Sequence, residues 1–187
     1  MREKILETSI ALFDQKGYKE TSIQDIVDEI GVTKGTFYYY FTSKPEILND
    51  ICLSFIESQL EKQEEILSND SLSCEEQLYE LVRMVIYDIK SKKTSARIFF
   101  RDMRHIEEQQ FIAIKEKRTL FRKNYQRLIE MGISQGVFKS SMNANILTFG
   151  ILGVANWAYY WFQPDGEVTE EQLVEIYMDL ILNGILE

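Results

Sequence analysis

With 187 residues and 22.0 kDa, of which 45% are hydrophobic, 12% aromatic and 27% charged, the chain can fill one large core or two modest ones. It is too rich in aromatics for a disordered segment. Nine glycines and two prolines are too few to punctuate a sandwich or barrel, so an all-α architecture is expected. Cys52 and Cys74 cannot build a disulfide framework, and no basic-then-apolar leader opens the chain, which suits a reduced, cytoplasmic setting.

One histidine, His105, narrows the chemistry further. A zinc hydrolase lacks ligands, no Gly-x-Ser-x-Gly turn supports a triad through His105, and no glycine-rich phosphate loop is present. No metal, no cofactor and no catalytic residue is expected. A helical enzyme or carrier using a carboxylate pair is the alternative from another class; the 30 acids otherwise read as solvated helix faces. The net charge of −9 is unevenly spread. Residues 90–127 hold twelve basic and four acidic residues, a net of +8, against nine and twenty-six elsewhere. A basic middle in an acidic chain points to an anionic partner there, or to an acidic surface of its own.

Helix signals follow in order. Residues 2–16 place Ile5, Leu6, Ile10 and Phe13 on one stripe and stop at Gly17. The Thr21–Gln24 stretch reads as a capping box opening a helix over 22–30, which Gly31 ends. A short helix covers 33–40. Ser43-Lys44-Pro45-Glu46 opens another over 44–67, with proline in the first turn. Ser73–Glu76 and Thr169–Gln172 are further boxes. Helices are expected over 74–90, 95–104, 107–134 (stopped by Gly136), 143–162 and 170–186, about nine in all. Short helices with tight turns give way to long ones near residue 48. The domain junction is therefore placed inside the fourth helix: 1–48, then 49–187. Residues 146–162 carry no charge but fall short of the ~20 apolar residues of a membrane span. They read as a helix buried by its own domain on one side and by a second subunit on the other.

Two short helices joined by a glycine turn over 22–41 form a helix-turn-helix, whose second helix enters the major groove of double-stranded DNA. On a wheel of 100° per residue, Phe37, Tyr40 and Phe41 share about 100° of arc, which must pack inward. Lys34, Gly35, Tyr38 and Tyr39 fill the opposite side. A cation, two phenols and a residue without a side chain suit a groove: hydroxyls for phosphate, rings for thymine methyls, and close backbone approach at Gly35. Thr33 offers a hydroxyl at the helix start, and Lys44 stands where it can reach phosphate. Three consecutive aromatics, Tyr38, Tyr39 and Tyr40, cannot all face one core.

These residues carry a resemblance. Ile5, Ala11, Phe13 and Gly17-Tyr18 begin it, followed by Thr21-Ser22-Ile23 and Ile26-Val27. Gly31-Val32-Thr33-Lys34-Gly35-Thr36-Phe37-Tyr38, Tyr40-Phe41, Ser43-Lys44 and Leu48 complete it. Residues 5–48 thus resemble the DNA-binding domain of the tetracycline-repressor (TetR) family of bacterial transcription regulators. Phe37 stands where leucine is commoner, and Tyr40 where histidine often stands. The resemblance implies an all-α homodimer on a palindromic operator, with DNA contacts from Ser22, Thr33, Lys34, Gly35, Thr36, Tyr38, Tyr39, Tyr40 and Lys44. It also implies a C-terminal domain that binds a small effector and moves the two heads out of register with the grooves.

In the second half, 143–162 and 170–186 (Leu173, Ile176, Tyr177, Leu180, Ile181, Ile185) are the expected four-helix dimer interface, with Gly150 and Gly153 permitting close approach. The effector pocket is expected between 95–104, 107–134 and 143–162. Phe99, Phe100, Phe121, Tyr125, Trp157 and Tyr160 would supply wall, Asn156 a buried amide, and Arg97, Arg101 and Arg104 on one helix face, with Arg118 and Arg122 on the next, an anion-binding mouth. Pairing of those arginines with acidic helices is the competing reading. Asn156-Trp157 and Tyr160 through Gly166 also resemble a subgroup that governs fatty-acid or sterol degradation and senses acyl-CoA esters. The expected protein is a repressor released by an apolar anion such as a long-chain acyl-CoA. A multidrug sensor of the same family, stacking aromatics on cationic compounds, is the alternative.

Overall fold

The structure, a computed structural model, describes residues 1–185, with side chains through Asn183; the side chain of Ile185 and the expected helix end at 186 lie outside the described residues. It contains eight α-helices and one 3₁₀ turn among those residues: α1 (Arg2–Lys16), α2 (Ile23–Ile30), α3 (Lys34–Tyr40), α4 (Lys44–Leu67), α5 (Cys74–Asp102), the turn Met103–His105, α6 (Glu108–Ser134), α7 (Ala144–Trp161) and α8 (Glu170–Ile185). None is long and apolar enough to cross a membrane.

The principal difference from expectation is α5. The helices expected over 74–90 and 95–104 are one helix of 29 residues. The intervening Lys90-Ser91-Lys92-Lys93-Thr94-Ser95 is polar and breaks the apolar stripe. It contains neither glycine nor proline, however, and lysine propagates a helix well, so the hydrogen-bond ladder continues. The chain turns only after Asp102, through the 3₁₀ turn.

The stops and caps are set by local chemistry. Gly17, Gly31 and Gly136 all have positive φ, where a side chain would be strained. The box at α2 is shifted by one residue from the sequence reading. Ser22, not Thr21, is the N-cap, and Asp25, not Gln24, reaches back to it. Thr21 is buried instead, donating its hydroxyl to the carbonyls of Gly17 (2.8 Å) and Leu12 (3.3 Å). At α4 the Glu46 amide donates to Ser43 Oγ, but the Glu46 carboxylate turns to the amide and hydroxyl of Thr42. Ser73–Glu76 and Thr169–Gln172 close in both directions as expected.

The chain divides into two compact units. The first, residues 1–57 and 94–116, holds α1–α3, the start of α4, the last turns of α5, the 3₁₀ turn and the first turns of α6. Its core includes Ile5, Phe13, Ile26, Val27, Phe37, Phe41, Leu48 and Cys52, all buried; α1 packs on α2 and α2 on α3. The second holds 58–93 and everything from 117 onward. Leu78, Leu81, Val85, Tyr125, Ile129, Phe138, Ala155 and Val174 are buried there. Several of its interior polar groups are hydrogen-bonded. Gln59 and Lys62 both donate to the buried Asp88, Gln63 donates to the Phe121 carbonyl at 3.1 Å, and Tyr125 Oη donates to the Leu81 carbonyl at 3.1 Å.

The α2 box has a pH signature. The Ser22 amide and hydroxyl both donate to Asp25, Lys16 adds a weaker bond, and together they hold the Asp25 carboxyl at about 2, below the ordinary 3.8. A depressed carboxyl stabilises the fold above its ordinary titration and loses that contribution as pH falls toward the folded value. Asp25→Asn should therefore lower the melting temperature by about 2–4 °C at pH 5–7. By circular dichroism, the gap from the wild type should close as pH drops from about 4 to about 2.

Candidate nucleic-acid interface

The connection between α2 and α3 is short because both of its ends are capped within it. The amides of Gly31 and Val32 close on the Val27 carbonyl at 2.9 and 3.0 Å. Thr33 then caps α3, accepting from the Thr36 amide at 3.2 Å, and its hydroxyl also pairs with that of Thr36. Phe37 and Phe41 are fully buried, their rings 6.1 Å apart. With that side committed, Tyr38 is 54% and Tyr39 81% exposed, and Lys34 and Gly35 lie on the same open surface. Thr36 and Tyr40 are half-buried, the Tyr40 ring meeting Tyr39 edge-on at 4.9 Å. Ser22 is exposed at the start of α2.

Gly35 shows what this surface is open to. A Cβ there would meet nothing nearer than Thr33 Oγ1 at 3.5 Å, an ordinary contact. Folding therefore places no demand for glycine at 35. The bare backbone leaves room for something outside the chain.

Lys44 is not the free arm that the sequence suggests. Its ammonium donates to the carbonyls of Tyr18 (2.8 Å) and Thr21 (2.7 Å) and lies 4.4 Å from the centre of the Tyr18 ring. Partial burial pushes its pKa down, while Glu20 and Asp25 pull it the other way. Tyr18 is buried, edge-on to Phe13 at 5.2 Å and stacked on His105 at 5.7 Å. Burial, followed by Lys19 and Arg104, lowers the His105 pKa.

The arginines expected at an effector mouth are used differently. Arg97 grips the Asp14 carboxylate with two bonds. Arg101 donates to the Phe13 carbonyl at 2.6 Å and to Asp102 at 2.8 and 3.0 Å. The last turns of α5 thus bind the end of α1, and for Arg97 and Arg101 the ion-pairing alternative holds within this unit. Arg104 is exposed beside His105. Phe99 is buried and Phe100 half-buried, both against Phe55.

The remaining expected effector residues belong to the second unit. Phe121 and Tyr125 are buried in its core. Arg122 bonds Gln126 (3.0 Å) and Asn145 (2.7 Å) and lies 5.2 Å from the Phe149 ring. Asn156 is half-buried rather than enclosed. Trp157 is 62% exposed and Tyr160 is also outward, so neither is walled in by this chain. They share an exposed strip of α7 with Ile146, Phe149, Gly150 and Gly153, and α8 exposes Ile176 and Leu180. The anchoring roles of Asp14, Tyr18 and His105 were not read from sequence. Asp14 carries no local signal, since its partner lies 83 residues away.

Comparisons with known proteins agree with this geometry. Residues 5–51 match the model of bacterial regulatory proteins of the tetR family, and 71–185 match the tetracyclin repressor-like C-terminal domain. The chain is 27% identical to the HTH-type transcriptional repressor KstR2 of Rhodococcus jostii (strain RHA1), over 98% of this chain and 90% of that one. Among solved structures it is similar to the ketosteroid transcriptional regulator KstR2 of Mycobacterium tuberculosis, with a TM-score of 0.92, 22% identity, and coverage of 100% and 95%. It is likewise similar to AibR in complex with isovaleryl coenzyme A and operator DNA, with a TM-score of 0.86, 22% identity, and 96% of each chain covered. A capped helix-turn-helix with an exposed tyrosine pair, and family models matching both halves of the chain, lead to one conclusion: this chain belongs to the TetR family of bacterial transcriptional regulators.

Proposed function

We propose that the chain is a cytoplasmic, non-enzymatic repressor that holds a palindromic operator as a homodimer and releases it when an apolar anion of the acyl-CoA class binds. The observation that carries the DNA part is the outward presentation of Tyr38 and Tyr39 beside Lys34 and Gly35, on a helix anchored by the buried Phe37 and by Phe41 just past its end. In this reading Lys34, Gly35 and Tyr38 meet base edges. Ser22, Thr33, Thr36, Tyr39 and Tyr40 line the phosphate backbone. Residues 1–48 form the reading head and 49–187 the part that senses and pairs.

Pairing is supported by the exposed strip of α7 and α8. Ile146, Phe149, Trp157, Ile176 and Leu180 are each more than half exposed, which is costly unless a second copy covers them. Gly150 and Gly153 are exposed within the same strip and have nothing within 4 Å of a Cβ position. Two-fold pairing matches a two-fold operator.

For the effector, the solved neighbour AibR is described with isovaleryl coenzyme A, an acyl thioester carrying several negative charges. The cations available to such a ligand are now weighted toward α6, since Arg97 and Arg101 serve the first unit. Release requires that the ligand prefer the DNA-incompetent arrangement. A complete switch takes about 10⁴-fold preference, or ~5.5 kcal/mol.

In gel shifts with a duplex enriched from random sequence by the wild type, Tyr39→Ala should weaken binding about tenfold whatever the bases. Lys34→Ala should also change the preferred bases, and wild-type behaviour from both variants would refute the interface. Phe149→Glu with Ile176→Glu should turn a dimer into a monomer in analytical ultracentrifugation and abolish duplex binding. A long-chain acyl-CoA at micromolar concentration should dissociate the complex, whereas cationic dyes and free neutral lipids should not. Release by dyes alone would overturn the anion assignment.

A further inference from the structure

Two cations of the first unit share a cleft without sharing in its ion pairs. The cleft, about 240 Å³, lies between the end of α1 with the turn that follows it and the 3₁₀ turn after α5. Its volume is several times the ~30 Å³ of one liquid water, so a tetrahedral ion fits with part of its hydration. Lys16, Lys19, Arg101, Arg104 and His105 are its basic lining, and Asp14, Glu20 and Asp102 its acidic lining.

Most of these charges cancel within the chain. Asp14 is taken by Arg97, Asp102 by Arg101, and Lys16 reaches Asp25 at 3.3 Å. Lys19 and Arg104 are different: both are exposed, and neither side chain bonds to another described residue. His105 stands close to both, its ring fixed by stacking on the buried Tyr18 at 5.7 Å. Burial, then Lys19 and Arg104, push its pKa down, while Asp102 and Glu20 pull the other way and are outweighed. The ring therefore sits in a net positive field that nothing in the chain neutralises.

We infer that this cleft binds a phosphate-class oxyanion, held by Lys19 from the turn between α1 and α2 and by Arg104 and His105 from the 3₁₀ turn. The site shares no residue with the tyrosine face of α3 or with the exposed strip of α7 and α8, and it does not rest on the DNA-binding reading. A guanidinium fork and an ammonium are the donors that suit a tetrahedral oxyanion. An imidazole beside them adds a donor once it is charged, so the anion draws a proton onto His105 as it binds. Glu20, the acidic residue of the lining that no cation has taken, opposes the anion.

His105 is the only histidine of the chain, so its ring resonances report on the cleft alone. In the DNA-free, full-length protein at about pH 7, inorganic phosphate should move those resonances toward imidazolium values and saturate in the millimolar range. Sodium chloride at the same ionic strength should move them less and without saturating; an equal response would reduce the effect to screening and overturn the inference. Lys19→Met and Arg104→Met should each weaken phosphate about tenfold, whereas Lys90→Met, which removes an exposed cation elsewhere, should not. In phosphate-free buffer the first two variants should already start nearer the imidazolium values, and Glu20→Gln should tighten phosphate. A duplex selected from a random pool by the wild type, added without phosphate, separates the two sources of the anion. If stoichiometric duplex moves the His105 signals as phosphate does, the operator backbone supplies it; if phosphate alone does so, the ligand is a free anion. No saturable movement with either, or one that survives in both Lys19→Met and Arg104→Met, overturns the inference.

Discussion

A helix of seven residues does not hold its shape in water by itself; the cost of nucleation is too high for so few hydrogen bonds. α3 exists because Phe37 and Phe41 are driven into the core beside α2, and because a glycine and a threonine close the gap before it. That dependence decides everything else about the surface. Once one side of so short an element is committed to burial, its other side has no freedom to turn inward. Tyr38 and Tyr39 are exposed as a consequence of Phe37 and Phe41 being buried. Energetically, the interface and the core are the same object, and a change to either phenylalanine would be felt by whatever the tyrosines touch.

Much of this was legible in the sequence because it is written in short-range chemistry. Glycines needing positive φ, hydroxyls one turn ahead of carboxylates and a 3.6-residue apolar period act within a few residues. Gly17, Gly31 and Gly136, and the boxes at Ser73 and Thr169, were readable for that reason. Where two residues could serve equally, the reading slipped. Thr21 and Ser22 are both able to cap, and burial of Thr21 against the Leu12 and Gly17 carbonyls leaves the task to Ser22. The break expected near residue 92 failed because polarity alone does not end a helix; something must remove a donor or release the backbone, and nothing there does.

The long-range partnerships were the illegible part. Arg97 and Arg101 have the spacing of an anion clamp, and spacing cannot say which oxygen answers. Asp14 and the Phe13 carbonyl answer, more than 80 residues away in the chain. Lys44 suffered the same ambiguity, since an outward-reaching ammonium and one bonded to the Tyr18 and Thr21 carbonyls look identical in one dimension. The uncharged stretch of α7 was expected to be buried on two sides; its own unit buries one, with Thr148, Ile151, Ala155 and Tyr159, and the other is exposed. Which of its aromatics faced the chain's own core and which faced out was not legible, and Tyr159 proves inward while Trp157 proves outward.

Both cysteine thiols are buried. Cys52 is fully buried, and burial together with the nearby Asp102 pushes its thiol up to about 12; Cys74 is nearly as enclosed, donating to Gln135, and its thiol is raised as well. At neutral pH neither forms a thiolate, the form that reacts with peroxide or with maleimide dyes. The native chain is therefore a silent background for fluorophore labelling. A single cysteine introduced on the rim of the head could report its movement, with Cys52 and Cys74 left as they are.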